Sequence, residues 1–243
     1  MQDVSMTLES NTPLARDIWK MTLRGDCSDI KRPGQFVNLK LDGFFLRRPI
    51  SVCDVRGDEM TLIYKTVGGG TEQMSRLPAG TELSVLSGLG NGYDTEKSGP
   101  RPLLIGGGVG VPPLYMLCRV LRQQGKDVTV LLGFNSREDV FYEAEFAALG
   151  ARVLTATADG TYGKRGFVTE LLPGLDCTYF YACGPMPMFR AVESVITIDG
   201  QYSFEERMGC GFGACMGCSC QTKNGTKRIC REGPVLERSE IIW

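Results

Sequence analysis

Residues 103–113 have the sequence LLIGGGVGVPP, and this stretch decides the fold class of the part of the chain around it. The apolar start predicts a buried strand, and the two prolines predict the first turn of a helix, where the N–H that proline lacks would be unpaired anyway. The glycines between them let the backbone approach a pyrophosphate at the helix N-terminus. The candidate cofactor contacts in this turn are Gly106, Gly107, Gly108 and Gly110.

The same stretch departs from the dinucleotide fingerprint at two points. Val111 stands where the fingerprint has glycine or alanine, and no acidic residue follows the next predicted strand, which ends in Gly133-Phe134-Asn135. A plain strand-to-helix turn is the alternative interpretation. The loops Ala158–Gly160 and Cys183–Pro185 favour a cofactor site, because each follows a predicted strand and would meet the glycine turn at the carboxyl edge of one sheet.

Outward from this turn, the sequence repeats strand, loop and helix four times. The predicted strands are Leu103–Ile105, Val128–Leu132, Arg152–Ala156 and Tyr179–Ala182, and the predicted helices are Pro112–Gln124, Asp139–Leu149, Phe167–Leu172 and Met186–Ile196. Four such units predict an α/β domain with a doubly wound parallel sheet over residues 99–200.

Residues 1–98 show short β-rich runs between turn residues. The runs are Gln35–Leu41, Pro49–Val55, Met60–Val67 and Thr81–Leu86. The breaks at Pro33-Gly34, Gly57-Asp58 and Pro78–Gly80 favour an antiparallel sandwich or barrel over helices. The polar, breaker-rich stretch Asn91–Pro102 predicts a linker between the β domain and the α/β domain.

Two motifs in the β domain can hold phosphate. Arg47-Arg48-Pro49-Ile50-Ser51 carries two guanidinium forks, and Lys65-Thr66-Val67 leads into a glycine turn that ends in Gly70-Thr71, with N–H and hydroxyl donors. Taken alone, a solvated arginine pair and an ordinary glycine loop explain these residues better.

The composition excludes several classes of protein. The chain has 243 residues, 27 Lys+Arg, 28 Asp+Glu and no histidine. Histidine-based nucleophiles, Rieske clusters and histidine-ligated zinc or haem are therefore excluded. The net charge of −1 argues against a nucleic-acid binder. The sequence shows no apolar run of about 18 residues and no export signal, so we expect no membrane span, a cytoplasmic location, and metal or redox roles for the cysteines.

Residues 201–243 form a segment rich in glycine and cysteine that is too short to bury a core, so an inorganic group is expected to organise it. The spacing Cys210-x4-Cys215-x2-Cys218-x11-Cys230 is typical of a plant-type [2Fe–2S] cluster. The alternative is a zinc knuckle with four thiolates, although zinc sites favour closely paired cysteines. Cys220 is left over, and we expect it to be a small residue packed near the cluster, with an alternative cluster ligand as the other interpretation.

Taken together, the motifs resemble those of a known family. Arg48-Pro49-Ile50-Ser51 resembles the Arg-x-x-Ser flavin motif of the ferredoxin reductase superfamily, in which an antiparallel barrel of six strands binds FAD. Gly106–Pro113 and Cys183-Gly184-Pro185 resemble the nicotinamide-domain motifs of that superfamily. Gly209–Cys218 resembles one branch of it, the electron-transfer subunits of NAD-dependent dihydroorotate dehydrogenase B complexes.

The resemblance implies a role for each motif. Arg48 would contact the FAD phosphates, and Pro49, Ile50 and Ser51 would line the flavin. Lys65, Thr66 and Val67 would follow the cofactor, and Gly70 and Thr71 would close on its pyrophosphate. Cys183, Gly184 and Pro185 would lie near the nicotinamide of NAD, with burial as a small core residue as the alternative for Cys183. The cluster ligands would be Cys210, Cys215, Cys218 and Cys230.

The resemblance also implies a subunit of an oxidoreductase in de novo pyrimidine biosynthesis. Its partner would be an FMN-containing dihydroorotate dehydrogenase catalytic subunit, with two copies of each. Met208, Phe212 and Met216 beside the cluster would let that partner approach closely, and the alternative is that they pack against the chain's own domains. Electrons would pass from FMN through the cluster and FAD to NAD, and no side chain would act as acid, base or nucleophile. The alternatives are a reductase component for another acceptor and a zinc-stabilised nucleotide-binding module without turnover.

Overall fold

The computed structural model describes the whole chain, Met1–Trp243, and its N-terminal part is a closed antiparallel barrel. The strands follow the order β1-β2-β5-β4-β3-β6 around the barrel, so the barrel rather than the sandwich is confirmed. Their bounds are β1 Gln2–Ala15, β2 Ile18–Gly25, β3 Phe36–Leu39, β4 Arg48–Arg56, β5 Glu59–Lys65 and β6 Glu82–Leu89, with the short helix α1 at Gly69–Ser75.

The barrel core explains which strands the sequence indicates. Val37 and Leu39 of β3 point into a core of 16 buried residues, and the corresponding side chains of β4, β5 and β6 join them. In β1 only the side chains of Met6 and Leu8 are buried. The rest of this long strand is in contact with solvent. Strand β1 therefore lacks a clear hydrophobic pattern, and the sequence does not predict it. Strand β2 buries Ile18, Met21 and Leu23 and is also missing from the predicted strands.

The second part is a sheet of seven strands in the order β10-β9-β8-β7-β11-β12-β15. All neighbouring strands are parallel except β12 and β15, which are antiparallel. The elements are β7 Pro102–Gly107, α2 Pro113–Gln123, β8 Thr129–Phe134, α3 Glu143–Ala148, β9 Arg152–Thr157, β10 Lys164–Arg165, β11 Tyr179–Cys183, α4 Met186–Glu193, β12 Gly200–Ser203 and β15 Val235–Glu237. The helix predicted at Phe167–Leu172 is a single 3₁₀ turn at Val168–Leu171.

Alternate side chains along the strands point to opposite faces of the sheet, where they pack into two separate cores. Leu104 of β7 packs with Leu114 and Leu117 of α2, whereas Leu103 and Ile105 pack on the opposite face. That opposite core also contains the apolar side of α4. The sheet is therefore covered by helices on both faces, which confirms the doubly wound arrangement.

The cysteine-rich segment is an excursion between two strands of this sheet. The chain leaves the sheet after β12, forms a hairpin of β13 Ser219–Thr222 and β14 Gly225–Arg228, and returns as β15. The boundary expected at residue 200 falls at the first residue of β12, so residues 201–203 and 235–237 belong to the sheet. The hydrogen bonds between strands, rather than the composition, thus decide which residues belong to the sheet and which to the cysteine-rich segment.

The two large parts are joined by packed contacts. The stretch expected to be a linker buries Tyr93, which is 1% exposed, and Asn91 donates from Nδ2 to the carbonyl oxygens of Glu232 and Val235 at 3.0 and 2.7 Å. On another side, Arg119 of α2 donates to the buried carboxylate of Asp54 on β4 at 2.7 Å. None of the helices has the length and apolar character needed to cross a bilayer.

Candidate functional site

A cavity of about 490 Å³ lies between the barrel and the carboxyl edge of the parallel sheet. Among the residues predicted to bind a cofactor, Lys65, Gly107, Gly108 and Pro185 line it. Lys65 comes from the barrel and the other three come from two loops of the sheet. The cavity therefore lies where open α/β sheets bind ligands, and the barrel forms its opposite wall.

The glycines of the turn allow these two loops to touch. A Cβ on Gly110 would lie 2.2 Å from the carbonyl oxygen of Cys183, and one on Gly106 would lie 2.9 Å from Val111. Gly184 has a φ of +156°, and a Cβ there would lie 2.6 Å from Met188. Close packing of the loop after β7 against the loop after β11 thus depends on residues without side chains.

Cys183 does not face the cavity. Its side chain is 2% exposed, and burial raises the pKa of its thiol, so the sulfur stays protonated at neutral pH. The geometry matches the interpretation of Cys183 as a small residue buried at the end of its strand.

Several cavity residues carry no motif and were missed by the sequence analysis. Phe167 is 72% exposed at the cavity, Thr169 follows it in the 3₁₀ turn, and Glu205 comes from the loop after β12. Glu205 is exposed at the mouth of the cavity, and partial desolvation by the surrounding chain raises the pKa of its carboxyl. A lone aromatic and a lone acid in loops give no sequence signal of their position.

A second site is built where β4 begins beside the N-terminus of α1. The guanidinium of Arg48 stacks over Phe44, 4.5 Å from the ring centroid, and takes part in no salt bridge. A Cβ on Gly70 would lie 2.1 Å from Nε of Arg48, so the arginine rests directly on the glycine turn. Nη1 of Arg48 donates to the carbonyl oxygen of Leu46 at 2.6 Å, and an arginine without an acidic partner beside the N-terminus of α1 is suited to a phosphate.

The hydroxyl of Thr71 stabilises the glycine turn through hydrogen bonds to its backbone. This hydroxyl accepts from the N–H of Val67 at 2.9 Å and donates to the carbonyl of Gly68 at 3.0 Å. Arg47, by contrast, pairs with Asp3 of β1 at 2.7 Å. The structure therefore separates the two arginines of the motif, and only Arg48 is available to a ligand.

The four predicted cluster cysteines form two pairs. In one, the N–H of Cys215 donates to Sγ of Cys210 at 3.4 Å, and in the other the N–H of Cys230 donates to Sγ of Cys218 at 3.4 Å. The first pair faces solvent and the second is buried. No three His, Cys, Asp or Glu side chains converge on a single metal-ion position.

Backbone donors stabilise a negative sulfur at Cys210. Burial raises the pKa of the Cys210 thiol, but N–H donors of Cys215, Phe212 and Ala214 outweigh it and bring the pKa down to about 6. Amides aimed at thiolates are the outer contacts that iron–sulfur ligands require. The donor set thus fits a cluster, and the neighbouring Cys220 is half-buried on β13 with its pKa raised by desolvation.

Comparisons with known proteins agree with this architecture. Residues 104–194 match the oxidoreductase NAD-binding domain family, and residues 205–242 match the iron-sulfur cluster binding domain of dihydroorotate dehydrogenase B. A structure of the NADH-dependent reduced ferredoxin-NADP oxidoreductase superposes with a TM-score of 0.87 at 26% identity, covering 98% of this chain and 90% of that one. The ferredoxin reductase in carbazole 1,9a-dioxygenase, with a TM-score of 0.70 and 21% identity over 79% of this chain and 64% of its own, shares the fold.

The fold and the site define an oxidoreductase of the ferredoxin reductase type with an added iron–sulfur segment. The dihydroorotate dehydrogenase B (NAD(+)) electron transfer subunit of Geobacillus sp. (strain WCH70) is 42% identical, covering 100% of this chain and 99% of its own. The corresponding subunit of Fusobacterium nucleatum is 40% identical over 97% and 96% of the two chains. The chain belongs to the family of dihydroorotate dehydrogenase B electron transfer subunits.

Proposed function

We propose that this chain takes electrons from the FMN of a catalytic partner subunit that oxidises dihydroorotate and delivers them to NAD⁺, in de novo pyrimidine biosynthesis. The observation that carries the proposal is the arrangement of three sites around one barrel. The loop that carries Cys210, here called the cysteine loop, contacts the outside of β3, and the site around Arg48 begins on the adjacent β4. The cavity at the carboxyl edge of the sheet, here called the dinucleotide cavity, includes Lys65 at the end of β5.

The cysteine pairs would hold a [2Fe–2S] cluster, with Cys210 and Cys215 on one iron and Cys218 and Cys230 on the other. Two pairs suit a centre with two metal atoms better than a single zinc ion, for which four thiolates would have to converge. The backbone N–H groups around Cys210 hold the sulfurs in place, and the pair facing solvent gives an electron donor access.

The Arg48 site would hold FAD. Arg48 and the backbone N–H groups of Gly70 and Thr71 would bind the pyrophosphate. Pro49 and Ser51 point to the outer face of the barrel, where the ring would lie, and Ile50 between them packs against the barrel core and would contribute its backbone. Lys65, Thr66 and Val67 continue this surface toward the cavity. When bound, the flavin exchanges single electrons with a cluster and a hydride with nicotinamide.

The dinucleotide cavity would hold NAD. Gly106, Gly107, Gly108 and Gly110 and the Cys183-Gly184-Pro185 loop shape its sheet side, with Gly110 and Gly184 allowing the two loops to touch. Phe167 offers an exposed aromatic face for a base, and Glu205 offers an acceptor. No side chain is assigned as acid, base or nucleophile.

The partner would dock over the exposed cysteine pair. Phe212 and Met216 flank it and are 42% and 53% exposed, and Met216 adopts a left-handed backbone with a φ of +62°. An apolar rim beside the exposed end of a redox centre suits close approach by another protein. We propose an assembly with two copies of each subunit, in which this face contacts the catalytic subunit.

An anaerobic visible spectrum of the purified chain tests the proposal. Flavin and iron–sulfur absorption bleached by stoichiometric NADH, and barely by NADPH, is the expected result. A colourless chain that neither FAD nor iron and sulfide reconstitutes would refute it. Mixing with an FMN-containing dihydroorotate-oxidising subunit then separates this function from a reductase for another acceptor, because only the proposed pair reduces NAD⁺ with dihydroorotate.

A further inference from the structure

Asn38 is a buried polar residue that connects the cysteine loop to the strand carrying the flavin motif. It lies on β3, is 1% exposed and is paired across the ladder with Pro49 of β4. Its neighbours Val37 and Leu39 point into the barrel core, so Asn38 points outward. Directly opposed residues share one face of a sheet, and Asn38 and Pro49 therefore lie side by side on the outside of the barrel.

The two ends of the Asn38 amide have different surroundings. Nδ2 donates to the carbonyl oxygen of Cys210 at 3.3 Å. Oδ1 is buried and has no hydrogen-bond partner in the chain. Because an unpaired buried acceptor destabilises a fold, stability alone does not account for an amide at this position.

The cysteine loop is fitted to this side chain. Gly211 has a φ of +78°, and a Cβ there would lie 2.1 Å from Nδ2 of Asn38. The backbone directly after the first cysteine thus rests on Asn38, and no other side chain could replace the glycine without moving one of them. The contact fixes the separation between the cysteine loop and the Pro49 strand.

We propose that Asn38 is a positioning residue for electron transfer between the cluster and the flavin. Its Nδ2 holds the Cys210–Gly211 backbone at a fixed distance from β4, and its open Oδ1 is an acceptor that no atom of this chain completes. The inference rests on the proposed function, since it takes the cluster to be at the four cysteines and the flavin to be beside Pro49.

The test compares two substitutions of Asn38 with a matched control. Asn38→Leu keeps the volume without the donor, and Asn38→Asp keeps the shape but places an oxygen against the Cys210 carbonyl. The control is Asn91→Leu, because Asn91 also donates from Nδ2 to two carbonyls, those of Glu232 and Val235, where the excursion ends and the chain returns to the sheet as β15. The whole chain, loaded with FAD and cluster, is mixed anaerobically with NADH.

Two steps are followed separately. NADH delivers a hydride, which carries two electrons, to FAD, and absorbance at the flavin band reports this step. One electron then passes to the oxidised cluster, and freeze-quench EPR of the reduced cluster reports its arrival. We expect the Asn38 variants to keep their FAD, their iron and the rate of flavin reduction, while cluster reduction slows by about tenfold or more and the EPR g-values shift. Asn91→Leu should change neither rate nor spectrum.

Three results would overturn the inference. Cluster reduction could keep its normal rate in both Asn38 variants, Asn91→Leu could slow it equally, or both Asn38 variants could lose iron while retaining FAD, which would make Asn38 a fold contact. Each of these leaves the proposed function standing, whereas a colourless wild-type chain removes the proposed function itself.

Discussion

Gly110→Ala is expected to disable the dinucleotide cavity while the flavin and cluster sites stay filled. The added Cβ would lie 2.2 Å from the carbonyl oxygen and 2.4 Å from the carbonyl carbon of Cys183. Both are backbone atoms, so no side-chain rotation relieves the contact. Ordinary contact begins at 3.4 Å, and the loop after β7 must therefore move about 1.2 Å away from the loop after β11.

The size of the effect follows from that displacement. Overpacking of this kind costs about 1–3 kcal/mol of folding free energy. A misplacement of about 1 Å in a reacting geometry costs roughly 100-fold in rate. We therefore expect kcat/KM for NADH to fall about 100-fold in an assay with ferricyanide, which accepts electrons without the partner subunit. FAD and iron content should match the wild type.

Gly125→Ala is the control for this substitution. Gly125 lies just after α2 and has a φ of +77°, and no neighbouring atom lies within 4 Å of the position that an added Cβ would take. The change should cost about 1 kcal/mol of stability through backbone strain and leave the NADH reaction unchanged. The reasoning is refuted if Gly110→Ala keeps kcat/KM within threefold of the wild type, or if both variants lose activity equally.

Three further predictions concern stability and reactivity. Arg119→Ala leaves the buried Asp54 carboxylate with Arg56 alone and should cost about 3 kcal/mol in urea unfolding, against less than about 1 kcal/mol for Arg101→Ala at the exposed ion pair with Asp176. Glu205→Gln should stabilise the fold at pH 8 and lose this advantage toward pH 5, because a carboxyl whose pKa is raised by folding loses stability as pH rises through that pKa. Iodoacetamide at pH 8 should leave Cys27 and Cys118 unmodified in the folded chain, as mass spectrometry would show, because burial raises their pKa values to about 11 and 12.

The sequence predicts those elements whose side chains alternate between core and solvent or repeat on one helix face. Helix α2 is an example, since Leu114, Leu117, Cys118 and Leu121 are all fully buried. Strand β1 could not be predicted in this way, because only two of its 14 residues are buried. Tyr93 was assigned to a linker because glycines and prolines surround it, yet its ring packs edge to face on Tyr181.

The candidate site divides in the same way. The glycine turns and the cysteine spacing are local patterns, so the sequence alone predicts their residues as candidates for the site. Arg47 and Arg48 are adjacent and chemically identical. The ion pair of Arg47 with Asp3, which is distant in the sequence, gives Arg47 a structural role and leaves Arg48 as the candidate for ligand binding. The positions of Phe167, Glu205 and Asn38 depend on loops and strand pairings between distant parts of the chain. No local sequence pattern therefore predicts that these residues lie near the sites.

The return of the chain into the sheet as β15 has a consequence for how the subunit works. The cysteine loop is tethered at both ends to the nucleotide-binding sheet and leans on the barrel in between, so it cannot swing between a donor and an acceptor as a carrier on a flexible arm does. The distances along the electron route inside the subunit are set once, when the chain folds. What varies during turnover is the arrival of the dinucleotide, at the end of the route opposite the partner subunit.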